Sequence, residues 1–173
     1  ISDKINVSRI EIVFMKILYI ARTDTYRYYR EGINPSHWLY GAVEMEKDGN
    51  EVVWEDESRA LLNDIRLVWK HLPDLVFIPN LNLRSHLLLL LITAFGLSRT
   101  PIYAFLHHEP KVKCGWKSVL YRLLLSAPRH LFFLSTKTME ETVKAGLVAK
   151  DKCSVPGWGP DIGFYGKVPK SSG

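Results

Sequence analysis

Several features that often reveal a protein's function are missing from this 173-residue chain. No glycine-rich phosphate loop follows its first apolar run, because the segment after Ile20 reads Ala-Arg-Thr-Asp-Thr-Tyr and contains neither G-x-G-x-x-G nor a P-loop. This absence argues against a dehydrogenase or an NTPase. The two cysteines, Cys114 and Cys153, lie far apart without metal-ligand spacing. They favour reduced thiols in a cytoplasmic protein over a disulfide framework or a zinc site.

Long apolar runs are missing as well. The run Leu87–Ile92 is followed closely by Thr93 and Gly96, and it is far shorter than the ~20 apolar residues that a membrane-spanning helix needs. It therefore indicates a helix buried against a sheet. No apolar segment with a small-residue cleavage site opens the chain, so no signal peptide is predicted. Met15 begins the first apolar run and looks like a natural start, so we expect residues 1–14 to be an extension outside the core.

Acidic residues are absent from residues 111–130, where five of the 23 Lys and Arg residues lie. This segment alone accounts for the formal net charge of +5. Its cations alternate with aromatic and leucine side chains, which suits an interfacial helix on anionic lipid. It equally suits an ordinary amphipathic helix that packs on a sheet and exposes a basic face. Nucleic acid is not an expected partner, since no recognition motif accompanies the charge. The residues assigned to the membrane-facing surface are Lys111, Lys113, Trp116, Lys117 and Arg122.

Strand and helix signals alternate along the chain with short connections, which predicts a parallel sheet covered by helices on both faces. The expected fold is a Rossmann-like three-layer α/β/α sandwich with a mainly parallel sheet of about six strands. It spans residues 15–165, and residues 166–173 read as a linker. Strands are predicted at 16–21, 51–54, 75–78, 102–106, 131–134 and 153–155. Helices are predicted from the Asn34-Pro35 start to Gly49, and at about 58–72, 85–95, 116–125 and 138–145, the last opened by a capping box at Thr138.

The most informative stretch is the decapeptide 101–110, Pro-Ile-Tyr-Ala-Phe-Leu-His-His-Glu-Pro. Its apolar part predicts a buried parallel strand, and two imidazoles and a carboxylate follow at once. Open α/β sheets bind ligands outside the carboxyl ends of their strands, so His107, His108 and Glu109 fall where such folds keep their chemistry. A histidine there acts as a general base or a hydrogen-bond donor, or it is structural. Neighbouring side chains of an extended backbone point oppositely, so we expect only one of the two rings to face the cleft.

The segment after the first strand is rich in arginine and tyrosine, from Arg22 to Arg30. These side chains could grip a sugar or an anionic group. Alternatively, the segment is a solvated loop whose tyrosines pack down on the helices.

Several short motifs then follow one another in a fixed order over residues 15–165. They are the opening Met15-Lys-Ile-Leu-Tyr-Ile, the passage Glu46-Lys-Asp-Gly-Asn-Glu-Val, the strand Pro73-Asp-Leu-Val-Phe-Ile, the strand that ends at His107, the strand end at Ser135, and the turn Val155-Pro-Gly-Trp-Gly-Pro-Asp161. In this order they resemble the N-terminal half of a GT-B glycosyltransferase of the large retaining group called family 4 or group 1. Within that likeness, His107 matches the family's acceptor-side histidine. The turn at 155–161 is similar to the one that leads into the family's second domain.

The resemblance implies the acceptor-binding half of a sugar transferase. Such an enzyme moves a sugar from a nucleotide-sugar donor to a hydroxyl of a glycan or a lipid-linked acceptor. The basic helix within residues 111–130 would hold it on the inner face of the membrane, where lipid-linked acceptors lie. The resemblance implies no metal and no resident cofactor. The donor is a substrate bound mainly by a C-terminal domain, so residues 1–173 alone are expected to be inactive. A non-catalytic, flavodoxin-like binding or docking module is the alternative. The implied catalytic residue is His107, the substrate-binding residues are Arg22, Asn34, Asn80, His108 and Glu109, and the interdomain turn contains Trp158, Gly159 and Asp161.

Overall fold

Six short strands form one sheet in the computed structural model, which describes residues 14–21, 24–55, 62–108 and 115–157, and the first five are rich in β-branched, leucine and aromatic residues. All neighbouring strands pair in parallel, in the order β2-β1-β3-β4-β5-β6. The predicted Rossmann-like α/β fold is thereby confirmed. The strands are β1 Lys16–Ile20, β2 Glu51–Glu55, β3 Leu75–Ile78, β4 Ile102–Leu106, β5 His130–Phe133 and β6 Cys153–Ser154.

Several of the sequence-based assignments lie outside the described residues. They are Arg22, Glu109, Lys111, Lys113, the turn containing Trp158, Gly159 and Asp161, and the segments 1–13 and 166–173.

Helices connect the strands as the alternating pattern predicts. One helix was not predicted: α1 lies within the arginine- and tyrosine-rich segment that was read as a loop. The helices are α1 Thr25–Arg30, α2 Ala42–Lys47, α3 Asn63–His71, α4 Leu87–Ala94, α5 Trp116–Ser126 and α6 Thr136–Lys144. Two 3₁₀ turns add Ser36–Leu39 and Lys150–Lys152.

The helix predicted from Asn34-Pro35 to Gly49 is wrong in its first half. Pro35, not Asn34, precedes the 3₁₀ turn, and no side chain caps that turn. The chain then passes through two left-handed residues, Tyr40 at φ 54° and Gly41 at φ 83°, before α2 begins. Gly41 adopts this conformation without steric cost, so it is the local signal that interrupts the helical pattern. The apolar spacing alone did not reveal the break.

The capping of α6 also differs from the prediction. Ser135, rather than Thr138, is the N-cap, and its Oγ accepts a hydrogen bond of 3.2 Å from the backbone N–H of Thr138. Both residues are good caps by type. The end of β5 decides between them, because Ser135 is the residue with extended backbone at the helix entrance.

The helices form two layers of unequal size. Side chains of α3, α4 and α5 pack with one face of the sheet in a core that includes Leu67, Leu90 and Leu125. The 3₁₀ turn and α2 cover part of the other face through Leu39 and Val43.

This division follows from the handedness of the connections. The path from β1 to β2 runs in the opposite direction to every later crossover, and right-handed crossovers then place its helices on the opposite face. The strand order reverses between β1 and β3. The loops that leave their carboxyl ends diverge there and open a crevice, which is the position where doubly wound sheets bind ligands.

Candidate functional site

The carboxyl ends of β1, β3 and β4 lie at one edge of the sheet because the three strands are parallel. Two cavities open at this edge, and His107 and Asn80 line both of them. The smaller cavity, about 200 Å³, lies at the β1/β3 crevice and is also lined by Thr25, Trp38 and Tyr40. The larger cavity, about 450 Å³, is within the usual size range of ligand pockets. Its other lining residues are Leu81, Asn82, Leu83, Arg84, Leu106, His108 and Tyr121.

His107 is held in place by the strand before it and by a distant loop. The strand β4 is almost wholly buried, and the His107 ring that follows is half-buried. Its Nε2 lies 2.9 Å from the carbonyl oxygen of Pro79, at the end of β3. A carbonyl only accepts, so Nε2 is the protonated nitrogen. In the neutral ring Nδ1 then carries the lone pair and is the atom that can accept a proton or a hydrogen bond from a substrate hydroxyl.

The surroundings keep the His107 ring neutral near pH 7. Burial lowers the pKa of His107 from its ordinary value, since desolvation disfavours the imidazolium. The bond to the Pro79 carbonyl acts in the opposite direction, and the neighbouring His108 lowers the pKa further. A neutral imidazole with a fixed tautomer is suited to a general base or to hydrogen-bonding a hydroxyl.

Tyr40 is one of the site residues that sequence reasoning missed. Its ring centroid lies 4.7 Å from that of Phe105 and 5.4 Å from that of His107, so it covers one side of the imidazole. Burial raises the pKa of the Tyr40 hydroxyl. A left-handed tyrosine costs about 1–2 kcal/mol. Strain of this kind occurs at active and ligand-binding sites among other places. The following Gly41 was the available signal, since it marks the turn that aims Tyr40 at the site.

The other predicted site residues differ in their positions. Both His107 and His108 line the larger cavity, and of the two only His107 also lines the smaller one. β4 ends at Leu106 and the chain bends at His108. Asn80 is exposed at the junction of the two cavities. Asn34 is not among the residues that line the cavities described here.

A tight turn before α4 forms the wall of the larger cavity. The Oδ1 atom of Asn82 accepts hydrogen bonds from the backbone N–H groups of Arg84 and Ser85, at 3.1 and 3.2 Å. This side-chain turn fixes the backbone that carries Arg84 at the cavity wall. Arg84 carries no motif of its own in the sequence, and the available signal is Asn82 two residues earlier, a typical turn residue.

In the described part of the arginine- and tyrosine-rich segment, residues 24–30, Tyr26 packs on the protein, whereas Thr25 lines the smaller cavity. The Tyr26 ring stacks on Trp54 with a centroid distance of 4.0 Å and an interplanar angle of 2°. The Arg30 guanidinium lies over the Tyr26 ring, 5.9 Å from its centroid, and Arg27 pairs with Asp24 at 3.0 Å. These contacts favour the interpretation in which the tyrosines pack down.

The basic helix α5 does not present its described cations on one surface. Trp116 and Lys117 line a third cavity, beside α4. Arg122 instead extends toward Gly146, which follows α6. A Cβ placed on Gly146 would lie 3.1 Å from the Arg122 guanidinium. In the described parts of the chain, no helix is both long enough and apolar enough to cross a bilayer.

Comparison with known proteins returned no family model, no curated protein and no solved structure that matches this chain. The described residues contain no cluster of three or more His, Cys, Asp or Glu side chains that could hold a metal ion. The polar side chains described at the carboxyl edge include two imidazoles, two asparagines, two tyrosines and a guanidinium.

Proposed function

We propose that this chain is the acceptor-binding domain of a GT-B-type glycosyltransferase, which transfers a sugar from a nucleotide-sugar donor to a hydroxyl of a glycan or lipid-linked acceptor. The observation that carries the proposal is the position of His107. It is half-buried at the carboxyl end of β4, with its Nε2 bound to Pro79 and a cavity on each side. The order of short motifs along the chain supports the same assignment.

The cavity lining suits a polyhydroxylated substrate. In this proposal the His107 Nδ1 accepts a hydrogen bond from a sugar or acceptor hydroxyl near the reacting carbon, and the exposed Asn80 amide offers both a donor and an acceptor. Tyr40 supplies an aromatic surface that keeps the imidazole in place. The nucleotide part of the donor belongs mainly to a second domain, which agrees with the lack of a phosphate-binding glycine loop after β1.

A non-catalytic binding or docking module is the second candidate, and the strand order favours it. Apart from the added β6, the order β2-β1-β3-β4-β5 is that of flavodoxin-like folds, which bind their ligand at the β1/β3 crevice. The small cavity of about 200 Å³ lies at that point.

The two candidates are separated by an assay of sugar transfer from UDP-glucose or GDP-mannose. The assay uses the two-domain protein that the proposal implies, which we call the parent protein. If His107 acts on the reacting hydroxyl, His107→Ala should lower kcat by about 10²–10⁴-fold, the usual contribution of a positioned proton-transfer group. Circular dichroism of the variant should remain that of the folded protein.

His130→Ala is the matched control. His130 is also half-buried and also bonded through Nε2, at 2.8 Å to the Oγ of Ser154, but it begins β5 at the opposite edge of the sheet. It should leave turnover unchanged. Sugar transfer that persists in the His107→Ala variant would reject the catalytic role, and no transfer from either donor by the unmodified parent would favour the docking module.

A further inference from the structure

An apolar groove runs between α4 and α5 and continues from the His107 cavity. We name it the α4–α5 groove. Its volume is about 210 Å³, and most of its lining is leucine and aromatic side chain. Its lining residues are Leu83, Arg84, Leu87, Trp116, Lys117, Leu120, Tyr121 and Leu124.

The groove and the larger His107 cavity share one wall. Leu83, Arg84 and Tyr121 line both, so the two spaces meet at the turn before α4. One side of that wall faces asparagine and histidine side chains, and the other faces leucines. The histidine and asparagine side chains thus lie on the His107-cavity side of this wall, whereas the groove side adds only apolar side chains and Lys117.

The charges at this junction have one sign. Arg84 lines both spaces and Lys117 lines the groove, while none of the described residues that line either space is Asp or Glu. A guanidinium and an ammonium without a carboxylate partner in the lining complement an anion, and arginine matches the oxygens of a phosphate group especially well.

Trp116 marks the outer end of the groove. It is 71% exposed although it is large and apolar, and it stands beside the exposed Lys117 at the start of α5. An exposed apolar side chain alone indicates nothing, but Trp116 lines the groove together with four leucines and Tyr121, and a contiguous apolar surface of this kind suits a ligand. The basic, aromatic start of α5 thus has a local partner surface in α4.

We propose that the α4–α5 groove holds the hydrocarbon chain of a phosphorylated lipid, with the phosphate at Arg84 and Lys117 and the rest of the head group in the His107 cavity. This inference rests on the proposed glycosyltransferase function and narrows the acceptor to a lipid-linked phosphate. It commits to single lipid molecules; docking of the helix on a bilayer surface is a competing outcome of the test.

The length of the ligand's alkyl chain is the variable that separates these outcomes. The probes are butyl, hexyl and octyl phosphate below their micelle concentrations, with inorganic phosphate as the head group alone, titrated into the 173-residue chain by calorimetry. Each methylene buried in the groove should tighten binding about fourfold until the groove is filled. Inorganic phosphate should bind weakest.

Two variants test the phosphate contact and the hydrocarbon contact separately. Arg84→Gln should weaken the binding of all alkyl phosphates by roughly tenfold, without changing the ratio of the affinities for octyl and butyl phosphate. Trp116→Ala should reduce that ratio severalfold and leave butyl phosphate unchanged; because Trp116 is exposed, the substitution does not enter the core. Arg66→Gln, an exposed arginine on α3, is the matched control for loss of charge and should change nothing.

Equal affinity for all chain lengths would overturn the inference and leave a soluble-anion site. Binding to anionic phospholipid vesicles without any binding of dispersed octyl phosphate would overturn it in favour of surface docking. The inference and the proposed function fail in different ways. If affinity depends on alkyl chain length but the parent protein transfers no sugar, the lipid-binding groove stands and the transferase function is rejected. If the parent protein transfers sugar to soluble acceptors but affinity does not depend on alkyl chain length, the transferase function stands and the lipid-binding groove is rejected.

Discussion

The buried pair of Asp64 and His86 offers the sharpest test of how the site is held. Asp64 lies in the first turn of α3 and His86 immediately precedes α4, and both side chains are 0% exposed. The Nδ1 atom of His86 lies 2.9 Å from the Oδ2 of Asp64. The pair therefore joins α3 to the turn that carries Arg84, in the wall of the His107 cavity.

Replacement of one partner should be far more damaging than replacement of both. Asp64→Leu leaves the His86 N–H without this buried acceptor, and breaking a buried pair in this way costs about 3–5 kcal/mol of unfolding free energy. His86→Leu should cost a similar amount, because it leaves a buried carboxylate. The double variant should recover a large part of the loss, since two apolar side chains of comparable size can replace a buried pair almost neutrally.

The assay is urea unfolding at pH 7, followed by tryptophan fluorescence and circular dichroism, for the unmodified chain, the two single variants and the double variant. Glu140→Leu, an exposed carboxylate on α6, is the control and should change the free energy by less than about 0.5 kcal/mol. Single losses below about 1 kcal/mol, or a double variant whose loss equals the sum of the two singles, would refute the reasoning that the two groups are buried as a coupled pair.

Two further predictions concern a strained residue and a titrating one. Leu72 is the C-cap of α3, with φ 45°, and its side chain is 77% exposed. Leu72→Gly should raise the unfolding free energy by about 0.5–1 kcal/mol, because it relieves ~1–2 kcal/mol of left-handed strain and loses part of that gain to the greater entropy of the unfolded chain. Leu97→Gly, at a residue equally exposed but without positive φ, should instead be neutral or destabilising in the same urea assay, and a gain there would contradict the strain argument. The lowered pKa of His107 means that the unfolded chain binds its proton first as the pH falls. The neutral His107 ring therefore makes its full contribution to stability above the ordinary histidine pKa of about 6.5. That contribution is lost as the pH falls from there through the lowered pKa that His107 has in the folded state. The His107→Gln variant should show a shallower decline of unfolding free energy between about pH 7 and pH 5, and an unchanged slope would refute the assignment.

Much of the sheet was predictable because its strands are defined locally. β3 and β4 have the predicted bounds, since each is a short, buried, apolar run between turn residues. The placement of His107 at a strand end also follows from the sequence alone. The same local signals failed between residues 34 and 41, where apolar residues at helical spacing continue through a break that depends on the backbone of Tyr40 and Gly41.

The sequence by itself determined the class of fold, the edge of the sheet at which the candidate site lies and the imidazole at that edge, because hydrophobic periodicity and turn residues act over a few neighbouring positions. The tertiary structure decided which groups meet there. The His107–Pro79 bond joins residues 28 positions apart, and the Asp64–His86 pair joins residues 22 positions apart. Such contacts depend on the order in which parallel strands assemble, which no local pattern records. For the same reason, only the folded chain brings the α4–α5 groove to the His107 cavity.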